Sequence, residues 1–179
     1  MRVSEERLSA ASFEDLALPL FDQLYNFAHW LTQDKAEAED LVQETYAKAL
    51  RGFSSFQAGT NFRAWMYRIL RNSFLSSRTG LKTMVVLDEE TGESLPTEKV
   101  TPEVLLLEQA NREMVQEALE GLPVQFREIL LLCEVEEMSY QEISLTLAVP
   151  MGTVMSRLYR ARQALRTALR AKIGGRHGM

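Results

Sequence analysis

The chain has 179 residues, 46% of them hydrophobic and 25% charged, with a net charge of −5 and a single cysteine. That is enough apolar material for one medium domain or two small ones, and it excludes a globally disordered chain. Lone Cys133 excludes an internal disulfide, and with only His29 and His177 beside it there is no metal-ligand spacing. No apolar run reaches the roughly 18 residues of a membrane span, and the acidic N-terminus does not read as a secretory signal. No nucleophile elbow, phosphate loop or dinucleotide fingerprint occurs. A cytoplasmic, non-enzymatic protein without cofactor or membrane insertion is expected.

The predicted elements are all helical. Over residues 13–50, Leu16, Leu20, Leu24, Phe27 and Leu31 recur at threes and fours, as a core-facing stripe does. Thr32 or Asp34 can cap the next segment, whose buried stripe is Ala38, Leu41, Val42, Thr45 and Ala49. Ser- and Gly-rich "RGFSSFQAGTN", 51–61, predicts a loop. "FRAWMYRILRNSFLSSR", 62–78, returns to helical period with Phe62, Trp65, Met66, Ile69 and Leu70 inward. Residues 79–102 lack a sustained period and carry two prolines and two glycines, as a linker does. A helix over about 103–120 is broken by "GLP", 121–123, and another follows from Val124. The fold class is therefore all-α, two small helical domains joined by a flexible linker.

Charge is distributed in blocks. Residues 45–87 hold seven bases and no acid, and residues 143–179 again hold seven bases and no acid. Two acid-free blocks suggest two sites for a polyanion whose charged group is phosphate. The alternative is that these bases merely complement helix C-termini.

The second block follows a helix-turn-helix pattern. On "SYQEISLTL", 139–147, Ser139 is a good N-cap and Glu142 completes a capping box. "AVPM" breaks the helix, because the residue before Pro150 is disfavoured in helical conformation. A second helix starts at Gly152 and Thr153, with Thr153 as a possible cap. At about 100° per residue, Val154, Leu158, Ala161 and Leu165 share the core face. Ser156, Tyr159, Arg160 and Gln163 lie opposite, with Thr153 and Arg157 on one flank and Met155, Arg162 and Arg166 on the other. Polar donors flanked by cations suit a major-groove helix. Arg157 has a second reading, an ion pair with Glu142 that ties the two helices together. An ordinary helical hairpin with a solvated basic face is the alternative for the whole motif.

"SYQEISLTLAVPMGTVMSRLYRARQAL" closely resembles the promoter-reading C-terminal domain of extracytoplasmic-function (ECF) sigma factors of the sigma-70 family. "DKAEAEDLVQETYAKAL", "FRAWMYRILRNSF" and "LPVQFREILLL" match the same family in the right order. The resemblance implies region 2 at 10–78, a linker at 79–111 and region 4, a helix-turn-helix, at 112–175. It implies core RNA polymerase and promoter DNA as partners, and an anti-sigma factor as regulator. Asp40, Gln43 and Glu44 would contact the polymerase clamp. Phe56, Thr60 and Asn61 would line a pocket for a flipped −10 base, while Arg63, Arg71 and Asn72 hold the backbone. Thr153, Ser156, Arg157, Tyr159, Arg160 and Arg162 would bind the −35 element. Seven aromatics between Tyr46 and Phe74 could stack on unpaired bases, although Phe62 and Trp65 also fit a core. Met155 stands where the family often has a cation. Ser144 replaces an Ala, and Ala148 holds a turn position where Gly or Asn is frequent, which suggests a less sharply bent turn. The competing function is a stand-alone helix-turn-helix regulator using only 112–172.

Overall fold

The computed structural model of the chain describes residues 13–57, 59–79 and 112–177. Among these every regular element is helical: α1 (Phe21–Thr32), α2 (Lys35–Gly52), α3 (Phe62–Thr79), α4 (Arg112–Glu120), α5 (Val124–Leu130), α6 (Tyr140–Leu147) and α7 (Met151–His177). The chain divides into two compact units. The predicted linker falls almost wholly outside the described residues.

In the first unit α1, α2 and α3 pack on one another. Asp34 is the cap of α2, its Oδ1 accepting from the Glu37 N–H at 2.9 Å. The Ala38, Leu41, Val42, Thr45, Ala49 stripe is buried throughout. The expectation for the first helix needs correction at its start. Leu16 is exposed, and Phe13 and Ala17 are buried instead. Pro19 lies in a 3-10 turn over Leu18–Leu20, and that tighter turn shifts the phase of the stripe before α1 resumes it at Leu24, Phe27 and Leu31. On α3 the core side is likewise rotated. Phe62, Met66 and Leu70 are buried as predicted, but Ala64, Tyr67, Ser73 and Phe74 join them, while Trp65 and Ile69 are only half-buried.

The second unit contains α4, α5 and α7, with a π-type turn, Leu131–Val135, after α5. There the Glu136 N–H donates to the Leu131 carbonyl at 3.0 Å, one residue beyond α-helical register. "GLP" ends α4 as expected, and the Pro123 carbonyl accepts from Phe126 and Arg127 to start α5. Ser139 caps α6, its Oγ accepting from the Glu142 N–H at 3.1 Å. The long helix begins at Met151, one residue before the predicted start at Gly152. Pro150, not Thr153, precedes its first turn, and the Pro150 carbonyl accepts from the Val154 N–H.

The turn between α6 and α7 is sharper than the sequence suggests. Ala148 takes a left-handed backbone, φ 54°, a conformation costing an L-residue roughly 1–2 kcal/mol. Ser144 offsets part of this. Its Oγ donates to the Val149 carbonyl at 2.6 Å, and the Val149 N–H returns to the Ser144 carbonyl. The small Ala-to-Ser departure thus clamps the turn. Ala148→Gly is expected to raise unfolding stability by about 0.5–1 kcal/mol in urea denaturation, the relief of strain exceeding glycine's entropy cost.

Candidate nucleic-acid interface

Three surfaces carry the predicted site residues. The first is the outer face of α2. Its opposite face is the buried stripe, so Asp40, Gln43 and Glu44 are exposed. Asp40 and Glu44 line a groove with Thr32, Glu37, Leu41 and Phe74. Glu44 pairs with Lys48 at 2.9 Å, and Lys48 also donates to the Ser73 Oγ on α3 at 3.0 Å. Glu37 pairs with Arg78 at 2.9 Å. Asp40 therefore sits between two exposed ion pairs, each worth about 0–1 kcal/mol, on an acidic rim over an apolar floor.

The second surface follows α2. Phe56 is half-buried, its ring stacked on Phe53 at 6.1 Å and packed against Phe62 at 5.3 Å and Trp65 at 5.0 Å. Such offset and edge contacts hold the rings in place. Thr60 is exposed, but its hydroxyl donates to the Gln57 carbonyl. Asn61 caps α3, its Oδ1 accepting from the Ala64 N–H at 2.9 Å. Arg63 lies over the Tyr67 ring at 5.7 Å. Arg71 is half-buried and Asn72 exposed. The exposed ridge of α3 runs through Arg68, Asn72 and Ser76. Arg68 is therefore a surface cation beside Trp65 that the motif comparison passed over; four-residue spacing to Asn72 was the available signal.

The aromatic set shrinks in the structure. Tyr67 and Phe74 are buried and cannot stack on a base. Tyr46 is half-buried, with its hydroxyl donating to the Ala17 carbonyl at 2.6 Å. Burial, reinforced by Asp22, pushes its pKa up to about 12. Phe53, Phe56 and Trp65 remain partly accessible.

The third surface is α7. Val154, Leu158, Ala161 and Leu165 are buried as predicted, joined by Leu169. Ser156, Tyr159 and Arg160 are half-exposed and Gln163 is exposed. Gln163 donates to the Tyr159 hydroxyl at 2.9 Å, and Ser156 Oγ to the Thr153 carbonyl at 3.2 Å. Thr153 is half-exposed at the first turn. Arg157 is different: only 7% of it is exposed, so its side chain belongs to the packing of the unit. Arg162 is held by Glu134, Nη2 to Oε1 at 2.9 Å, and lies 3.6 Å from the Cys133 Sγ. Burial alone lowers the Arg162 pKa, but hydrogen bonds to Glu134 and Tyr140 more than offset it, and the net shift is upward. Burial first, then Glu134, raises the Cys133 thiol, so it is not a poised nucleophile.

Among the described residues no group of three or more side chains could hold a metal, and no helix is long and apolar enough to cross a membrane.

Comparison with known proteins assigns both units. Residues 19–82 match the sigma-70 region 2 family and residues 112–165 match sigma-70 region 4. The ECF RNA polymerase sigma factor SigE of Mycolicibacterium smegmatis is 37% identical over 166 residues, covering 92% of this chain and 64% of the relative. The ECF RNA polymerase sigma factor SigW of Bacillus subtilis is 31% identical over 169 residues, covering 89% of each. The solved structure of the sigma factor RpoE from Bartonella quintana, in complex with the anti-sigma factor NepR, aligns with TM-score 0.66 and 28% identity over 89% of this chain and 97% of that one. The chain belongs to the sigma-70 family and, within it, to the ECF RNA polymerase sigma factors. Sigma factors are transcription initiation factors rather than catalytic enzymes.

Proposed function

We infer that the two units divide promoter recognition between them. The first, residues 10–78, binds the clamp of core RNA polymerase through the outer face of α2 and opens the −10 element with the aromatic loop and the exposed side of α3. The second, residues 112–175, reads the −35 element with α7, and residues 79–111 connect them. The observation carrying this reading is that the region 2 match falls within the first compact unit and the region 4 match, but for Leu145–Ala148, within the second. A stand-alone regulator would use only the second, leaving the acidic α2 face and the Phe56–Trp65 cluster without a task. The protein acts in the cytoplasm, without catalysis of its own, and an anti-sigma factor controls its access to the polymerase.

At the base contacts we place Ser156, Tyr159 and Arg160, with Thr153 on the flank. The burial of Arg157 and the Glu134 pairing of Arg162 favour structural roles for these two. At the −10 side Arg68 joins Arg63, Arg71 and Asn72, near Phe56, Thr60 and Asn61. Asp40 tests the polymerase contact, because it is exposed and reversing its charge touches no core packing. Asp40→Arg is expected to weaken binding to core polymerase about tenfold or more, as like charge placed against a complementary surface does. Its melting temperature should stay at the parent value. Competition binding with labelled core enzyme measures this, and unchanged affinity would remove α2 from the interface.

A further inference from the structure

The N-terminal half of α7 exposes two methionines one turn apart. Met151 is 41% and Met155 44% exposed, and Met155 stands one turn before Tyr159 on the accessible side of the helix. The helix carries no acid along its whole length, and Arg160 is partly accessible on it, which suits an anionic partner. A thioether is at best a weak hydrogen-bond acceptor. It cannot pair with the O6 and N7 of guanine, the N6 and N7 of adenine or a phosphate oxygen. The one major-groove feature an apolar side chain complements is the C5-methyl of thymine. Residues at the N-terminal end of a recognition helix are those that reach base edges, and an unbranched thioether adapts its shape to the methyl it meets.

We propose that Met155, supported by Met151, is a specificity-determining residue that reads a thymine methyl in the −35 element. This rests on the assignment of α7 to that element. The contact gives the protein a thymine preference at one position, in place of the phosphate or guanine contact that a cation at 155 would make.

The test uses holoenzyme, reconstituted from core polymerase and the full chain, on a promoter it selects from genomic DNA. Each thymine of the −35 element, on either strand, is replaced singly by uracil, which deletes only the methyl. One position is expected to lose about three- to five-fold in binding, the worth of one buried methyl group. Met155→Ala holoenzyme should bind the thymine and uracil forms of that position equally, and Met155→Leu should keep the discrimination. An element without thymine, no uracil effect anywhere, or the same effect in Met155→Ala would overturn the proposal while leaving α7 as the −35 reader. Binding indifferent to replacement of the entire −35 element would overturn that assignment, and this inference with it.

Discussion

Glu128→Ala is expected to destabilise the second unit by about 3–5 kcal/mol, the cost of removing a fully buried carboxylate from the groups that compensate it. Glu128 is fully buried on α5, and Arg127, Glu136 and Arg157 are buried in the same unit. Each is engaged by its surroundings, and the four are balanced in sign. A carboxylate is taken so far from water only when the site compensates it. Removing it leaves the buried groups that compensate it without their partner. With domain stabilities of only about 5–15 kcal/mol, the variant's second unit should be largely unfolded near 37 °C. Chemical denaturation followed by circular dichroism measures the loss. Glu128→Gln should recover part of it by keeping the shape and some hydrogen bonding. Loss below 1 kcal/mol would mean that the carboxylate merely occupies space.

Arg160→Ala should weaken binding to a cognate −35 element by about 1–3 kcal/mol, roughly five- to 150-fold, while core polymerase binding stays intact. Arg160 is half-exposed on the side of α7 opposite Val154 and Leu158, and its Nε makes a long 3.5 Å contact to the Ser156 carbonyl. That contact is at the outer limit of a hydrogen bond, so the guanidinium is readily redirected to a base edge. Arg162→Ala should act differently. It releases Glu134 and loosens the π-type turn, so its main effect falls on stability rather than on sequence preference. Binding assays on matched and scrambled −35 sequences separate the two. Equal loss on both sequences for Arg160→Ala would make it a phosphate contact.

Local order was readable from the sequence. The α2 stripe, the Asp34 and Ser139 caps, the "GLP" break and the core face of α7 all depend on neighbours within one or two turns. What escaped was set by distant residues or by an unmarked change of helical pitch. Leu16 turned outward because of the 3-10 turn at Pro19. Tyr67 and Phe74 went inward because three helices meet on that side of α3. The charge blocks were a half-guide. They mark stretches rich in cations, yet Arg78, Arg162 and Lys172 pair with Glu37, Glu134 and Glu117 from acidic stretches 28 to 55 residues away. A block in sequence is therefore not a patch on a surface. Ala148 shows the same lesson in the backbone: its left-handed turn is clamped by Ser144, and neither residue announces the other.

The central claim is that this chain directs core RNA polymerase to two-element promoters. Transcription from sheared genomic DNA of the source organism, with core enzyme alone and with the protein added, followed by sequencing of the transcripts, tests it most directly. The account predicts new start sites that share two upstream elements, lost together with Asp40→Arg and selectively at weak −35 elements with Arg160→Ala. An active core enzyme that gains no new start sites on addition of the protein would contradict it.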